Sequence, residues 1–127
     1  MKPSLHFSKE TLADIRKRRL IGIRAGTDSA HRVIRIWVVV VHGRVFIRSW
    51  TLEPRSWWRT FLEDPHGSLF LGRQEIHVRA IHTRSERLKD LVSVAYKEKY
   101  DQPDDIQYVK DMSRKKSRDA TVELVVV

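Results

Sequence analysis

The sequence predicts one α+β domain, residues 1–127, built on a six-stranded antiparallel barrel or sandwich with peripheral helices. Three observations predict this class: β-branched or alternating runs, turn residues between them, and apolar residues at helical spacing. A composition of 41% apolar and 32% charged residues is typical of a globular chain that buries a core. The six predicted strands are residues 20–25, 33–41, 45–51, 68–71, 74–81 and 120–126.

The first predicted helix begins at Ser8, whose hydroxyl is suited to cap the following backbone N–H groups. Phe7 precedes this cap and has the spacing to pack against Leu12 at the start of the helix. Leu12 and Ile15 then continue an inward stripe, and the pattern ends near Arg18.

The strongest β signal is a hairpin formed by residues 33–41 and 45–51. Between the two runs lie the turn residues His42 and Gly43, followed by Arg44, and glycine at the second turn position is what a two-residue hairpin turn favours. We therefore expect Val41 to lie opposite Arg44.

Extension of this register brings two arginines and two tryptophans onto one face of the hairpin. Trp37 is then opposite Arg48, and Arg35 is opposite Trp50. Guanidinium groups stack on indoles, and such pairs serve either as cover for a sheet face or as a binding surface for a planar anion. The pattern alone leaves both interpretations open.

The segment Arg55-Ser56-Trp57-Trp58-Arg59 predicts the start of a short helix with Ser56 as its N-cap. The helix is expected to run through Leu62 and to stop before Pro65. A helix start with flanking cations favours a phosphate group. The simpler interpretation is that Trp57, Trp58 and Phe61 anchor the helix to the barrel, and we expect this of at least one tryptophan.

The run Thr83-Arg84-Ser85-Glu86 reads as a capping box that opens a longer helix. Apolar residues at helical spacing carry this helix to about Tyr100, with Lys89, Lys97 and Lys99 expected on its solvated face. Residues 101–117 are polar, and only a short helical turn is expected there.

Residues 38–41 are apolar on both faces of their predicted strand. In a small barrel such a strand needs a cover on its outer side, and we expect either the Trp57-Trp58 helix or a second subunit to provide it. This is the physical reason to predict a homodimer.

The net charge of +9 is concentrated in the first part of the chain, where residues 1–51 hold 11 Lys/Arg against 3 Asp/Glu. A basic surface attracts nucleic acid, but it also concentrates small phosphorylated ligands. Because no nucleic-acid recognition motif accompanies the charge, we do not expect a nucleic-acid partner, and a basic nucleic-acid-binding module is kept as an alternative.

Several chemistries are excluded by composition and spacing. The chain has no cysteine, so disulfides, thiolate nucleophiles and cysteine metal sites are excluded. No metal site is expected, since His77 and His82 fall on opposite faces of a strand. No apolar run approaches the roughly 20 residues of a membrane span, and we expect a cytoplasmic protein. No nucleophile and base converge in the sequence, so any catalysis is expected from a cofactor.

The order of these parts resembles a known superfamily, the flavin-binding split barrels typified by pyridoxamine-phosphate oxidase. The motifs that resemble an uncharacterised bacterial family within it are Ile36-Trp37-Val38-Val39, Arg48-Ser49, Ser56-Trp57-Trp58-Arg59, Ala95-Tyr96-Lys97-Glu98-Lys99-Tyr100 and Ala120-Thr121-Val122-Glu123-Leu124. The resemblance covers nearly the whole chain. It implies a six-stranded antiparallel split barrel, a homodimer, and FMN or a deazaflavin at the subunit interface.

The resemblance also implies site residues. Arg48-Ser49 and Arg55-Ser56 stand where the oxidases contact the cofactor phosphate. Trp57 stands where the oxidases have a phosphate-binding lysine, and this difference weakens the prediction of FMN. A tryptophan at the start of this helix resembles the deazaflavin-dependent nitroreductases. The ring is expected near Trp37 or Trp58. The full predicted cofactor-binding set is Arg35, Trp37, Arg48, Ser49, Arg55, Ser56, Trp58 and Arg59.

The sequence therefore predicts a flavin- or deazaflavin-dependent oxidoreductase with an unknown substrate. The alternative of a split barrel without a cofactor, which acts as a binding protein, is compatible with the same residues.

Overall fold

The computed structural model describes residues 6–27, 32–50 and 56–127. The strands are β1 (Ile21–Ala25), β2 (Ile34–Ile36), β3 (Val39–Val41), β4 (Arg44–Arg48), β5 (His66–Leu71), β6 (Gln74–His82) and β7 (Thr121–Val126). The helices are α1 (Lys9–Lys17), α2 (Trp57–Glu63), α3 (Glu86–Lys99), α4 (Ile106–Met112) and α5 (Lys115–Asp119), with a 3₁₀ turn at Pro103–Asp105. No helix among these residues has the length and apolarity to cross a membrane.

The strands form one antiparallel sheet in the order β2-β1-β5-β6-β7-β4-β3. The two edge strands, β2 and β3, are separated in the chain by only two residues, Trp37 and Val38. A flat sheet of seven strands is roughly 29 Å wide, whereas three peptide steps span at most about 11 Å. The sheet must therefore curl until its edges approach, and the predicted α+β split barrel is confirmed.

The strand count is seven because the predicted strand 33–41 is divided at Trp37 and Val38. Its first part pairs with β1, and its second part pairs with β4. A single run therefore serves both edges of the sheet, which the alternating pattern alone does not reveal. The prediction of six strands is corrected by this change of partner.

The hairpin register is confirmed next to the turn and wrong beyond it. Val41 pairs with Arg44, as predicted. The two turn residues both have positive φ, 53° at His42 and 71° at Gly43, as expected of this two-residue turn. Arg35, however, pairs with Gly22 of β1 and not with Trp50.

The predicted pairing of Trp37 with Arg48 is also absent from the ladders, because Trp37 lies outside both strands. Side chains of Lys99, the last residue of α3, and of Tyr100, which follows it, replace the ladder at this point. The Val38 N–H donates to the Tyr100 hydroxyl at 2.9 Å, and the Val38 carbonyl accepts from Lys99 Nζ at 2.8 Å. Backbone groups that leave a sheet in a buried position need such partners.

Two apolar clusters lie on opposite sides of the sheet. The larger fills the barrel and includes Ile23, Val45 and Leu69, which are fully buried. The second joins the outer face of β3 to α3 and α4, with Val39 against Tyr96 and its neighbours. The chain itself therefore covers the strand that is apolar on both faces. The expectation that the Trp57-Trp58 helix or a second subunit provides this cover is wrong.

The helix starts are set by serine caps. Ser8 accepts a hydrogen bond from the Thr11 N–H at 3.1 Å, which confirms the first predicted cap. In α3 the cap is Ser85, which accepts from the Leu88 N–H at 3.2 Å, and not the predicted Thr83. Thr83 instead lies buried beyond the end of β6.

Two lysines expected in solvent are in fact largely buried. Lys89 is only 7% exposed and pairs with Asp119 at 3.1 Å. Lys99 donates to the carbonyls of Ile15 and Val38 at 3.1 and 2.8 Å, and burial lowers its pKa from 10.5 to about 8.

Lys99 gives the folded protein a distinct pH dependence. Between pH 8 and 10.5 the unfolded chain holds the Lys99 proton and the folded protein does not, so this group makes stability rise with pH. We expect the wild type to gain stability relative to Lys99→Met as the pH rises from about 7 to 9.5 in urea unfolding. The pKa of Tyr100 is raised to about 12 by burial, so its opposite effect lies above this range. A difference that does not change with pH contradicts the prediction.

Candidate functional site

A cavity of about 460 Å³ opens between the sheet edge at β2, the end of β4, and the helices α2 and α4. Its lining is formed by Leu20, Ile34, Arg35, Ile36, Trp37, Arg48, Ser49, Trp50, Ser56, Trp57, Tyr108 and Met112. Trp37, between β2 and β3, reaches it because the chain crosses there from one sheet edge to the other. The cavity therefore lies at the open side of the barrel.

Aromatic rings dominate the cavity wall. Trp37 stacks on Tyr100 with ring centroids 4.0 Å apart and an interplanar angle of 7°. Tyr108 points its edge toward both Trp37 and Trp50, at 6.1 and 5.9 Å. Arg19 lies over the Trp37 ring at 5.7 Å and forms a bidentate pair with Asp105. The Trp37 ring is therefore held in a fixed plane, which suits contact with another planar group.

Arg48 lies in the cavity wall but is a buried structural cation. It is 3% exposed, and burial lowers its pKa to about 10, so it stays charged at neutral pH. Its guanidinium donates to Thr121 Oγ1 at 2.8 Å and to Ser93 Oγ at 2.7 Å. It also donates to the carbonyls of Met112 and Lys89, each at 2.9 Å. Arg48 thus joins β4 to β7, α3 and the end of α4.

Arg35 has the opposite environment. It is exposed on β2 at the rim of the cavity. Within the described parts of the chain, its side chain makes no hydrogen bond or ion pair. Its guanidinium is therefore available to an anionic ligand.

Two serines complete the polar part of the lining. Ser49 is buried, and its N–H donates to the Ala120 carbonyl at 3.3 Å. Ser56 precedes α2 as its N-cap residue, but its side chain makes no cap hydrogen bond. Ser56 Oγ is buried without a hydrogen-bond partner among the described residues. An unpaired buried hydroxyl is costly, and a ligand in the cavity is a natural partner.

The structure brings together five members of the predicted cofactor-binding set: Arg35, Trp37, Arg48, Ser49 and Ser56. It places Trp58 elsewhere, in the barrel core at 8% exposure with its ring edge toward His82. Arg59 is exposed on α2 and does not line the cavity. Arg55 lies outside the described residues. The cofactor role of these residues stays a prediction.

Sequence reasoning missed lining residues on two helices, α2 and α4. Trp57, and not Trp58, faces the cavity, while Trp58 and Phe61 anchor α2 to the core. Tyr108 and Met112 come from α4, in the segment that was expected to be mostly irregular. The spacing of Val109 and Met112 is the signal for α4, since both are buried on one face.

Comparison with solved structures shows that this fold recurs at low sequence identity. A conserved hypothetical protein of Mycobacterium tuberculosis has a TM-score of 0.62 at 17% identity, over 100% of this chain and 84% of the other. A proposed pyridoxamine 5'-phosphate oxidase of Listeria innocua has a TM-score of 0.61 at 13% identity, over 93% and 90%. An F420-H2 dependent reductase has a TM-score of 0.57 at 18% identity, over 85% and 94%.

These similarities show a shared split-barrel fold of the pyridoxamine-phosphate-oxidase type. No curated protein matches the chain. The family match is more specific, because it extends over residues 11–124 and thus over nearly all of the chain. The chain belongs to the family described as an uncharacterized protein conserved in bacteria (DUF2255).

Proposed function

We propose that this protein binds a flavin or a deazaflavin in the aromatic cavity and acts as an oxidoreductase through that cofactor. The observation that carries the proposal is the fixed ring plane of Trp37, which lies in an aromatic wall at the open side of a split barrel. Two solved structures of the same fold support the ligand class, since one is described as a proposed pyridoxamine 5'-phosphate oxidase and one as an F420-H2 dependent reductase.

The cavity fits such a group in size and chemistry. Its volume of about 460 Å³ lies in the usual range of small-molecule sites, and its lining is mostly apolar with few polar groups. The unpaired Ser56 hydroxyl offers a hydrogen bond to a ligand heteroatom. Flavins and deazaflavins supply redox chemistry when bound, and the protein then has to bind, orient and shield the ring.

The described residues divide these tasks. Trp37, Trp50 and Trp57 contact the faces or edges of the ring and exclude water from it. Ser56 orients the ring through its hydroxyl. Arg48 stabilises the cavity wall and does not bind the ligand, because its N–H groups already donate to protein oxygens.

We also propose that the protein works in the cytoplasm as a homodimer, which the resemblance of its sequence to the split-barrel superfamily implies. Trp50 and Tyr108 support the dimer, since they are 58% and 49% exposed at the mouth of the cavity. Exposed aromatic rings beside a cavity are typical of a surface that a partner covers.

Titration with FMN and with the F420 deazaflavin tests the function. We expect quenching of ligand fluorescence by the tryptophans and a dissociation constant on the order of ten micromolar or tighter for one of the two. Lumazine, a smaller ring system, serves as a control for nonspecific quenching. Absence of saturable binding of both cofactors contradicts the proposal and favours a split barrel that binds other partners without a cofactor.

A further inference from the structure

A second cavity, of about 380 Å³, adjoins the aromatic cavity on the outer face of β1 and β2. The two cavities share Leu20 and Arg35 in their linings. The second is also lined by Arg18, Ile21, Gly22, Val33, Phe70 and Gly72. A ligand too long for the first cavity can therefore continue past Leu20 into the second.

The second cavity is cationic. Arg35 stands at the junction, and its guanidinium makes no hydrogen bond or ion pair within the described residues. Arg18 uses its Nε to bind Asp14 at 2.9 Å, and its two terminal nitrogens are not used in that bond. None of the lining residues is acidic. Two guanidinium groups in one recess form a site for a phosphate.

Gly22 keeps the floor of this recess open, and Gly72 also lines it. Gly22 pairs with Arg35 on one side and with Phe70 on the other. A Cβ atom at position 22 would lie 3.0 Å from both the Phe70 Cβ and the Val33 Cγ1, so a side chain there would crowd the floor of the recess. Gly72, in the turn between β5 and β6, has φ of +61° and lies beside the Arg18 guanidinium.

We propose that the second cavity binds the phosphate-bearing arm of a ligand whose planar ring occupies the aromatic cavity. This inference rests on the proposed function and deepens it, because it assigns the anionic part of the ligand to Arg35 and Arg18. The hydrogen-bond donors that the arginines still have available favour a phosphate in the second cavity. Arg48 is committed to four protein oxygens, whereas Arg35 faces both cavities and is exposed.

Ligands that differ only in the arm test the assignment. FMN is compared with riboflavin, and the F420 deazaflavin is compared with its phosphate-free chromophore. For the wild type we expect the phosphorylated member of the pair that binds to have an affinity on the order of tenfold higher. This ratio should fall toward one in Arg35→Ala and decrease in Arg18→Gln.

Arg16→Ala is the matched control, since Arg16 is an exposed cation on α1 that lines neither cavity. It lowers the net charge by the same amount and should leave the affinity ratio unchanged. Added salt should lower the wild-type ratio and have less effect on Arg35→Ala.

The outcomes separate this inference from the proposed function. If the chromophores bind but the ratio is the same in Arg35→Ala and Arg18→Gln as in the wild type, the arm site is wrong and the aromatic cavity stands. If no chromophore binds the wild type, the proposed function is wrong, and the assignment of the phosphate-bearing arm to the second cavity is then wrong as well.

Discussion

Replacement of Arg48 by alanine is expected to lower the free energy of unfolding by about 3–5 kcal/mol. The change removes four donors from a buried position and leaves oxygen atoms of Thr121, Met112 and Lys89 without this partner. The Met112 carbonyl is the most sensitive of these, because it lies in the last turn of α4, where helix carbonyls lack partners within the helix. Urea unfolding of both proteins measures the difference.

Two further variants make this result specific. Arg48→Lys keeps the charge but cannot form the same set of hydrogen bonds, so its stability should lie between those of the wild type and Arg48→Ala. Arg35→Ala removes an exposed arginine and should stay within about 0.5 kcal/mol of the wild type. A loss of less than about 1 kcal/mol in Arg48→Ala would show that Arg48 is not a structural residue, and its role as a phosphate ligand would return.

Replacement of Trp50 by alanine is expected to weaken cofactor binding by about tenfold or more, since stacking of a planar ring on an aromatic side chain is worth about 1–3 kcal/mol. Trp50 is the best position for this test because it lines the cavity and yet is 58% exposed. Its removal therefore costs little core packing. The fluorescence titration used for the wild type measures the effect.

The matched control is Leu62→Ala, because Leu62 is a large apolar residue with 52% exposure that does not line the cavity. Trp50→Phe keeps an aromatic face and should retain most of the affinity. If Trp50→Ala binds the cofactor as tightly as Leu62→Ala does, the ring does not lie in the aromatic cavity.

The sequence was a good guide to the fold because its signals are local. Ser8 caps the first helix as predicted, and Gly43 marks the hairpin turn. The division of the strand at Trp37 and Val38 depends on contacts with Tyr100 and Lys99, which are about 60 residues away in the chain. The run of β-branched and aromatic residues continues through the break, so no local pattern predicts it.

The site was predicted less completely for a similar reason. Arg35, Trp37 and Arg48 do meet at one cavity, although the predicted ladder that was to align them does not form. The environments of the two arginines differ through burial by distant helices: Arg48 is covered by α3 and α4, and Arg35 is exposed. Residue type shows that a cation is present, but only tertiary packing decides whether its donors are already used.

The seam between β2 and β3 has a consequence for motion. No strand ladder joins these two edges, and the backbone of Val38 is held there by Lys99 and Tyr100 at the C-terminal end of α3. Separation of α3 from the sheet would therefore release the seam while every interstrand ladder stays intact. Such an event is a partial opening that needs less free energy than global unfolding. Trp37 belongs to this seam, so such an opening would widen the aromatic cavity without loss of the barrel.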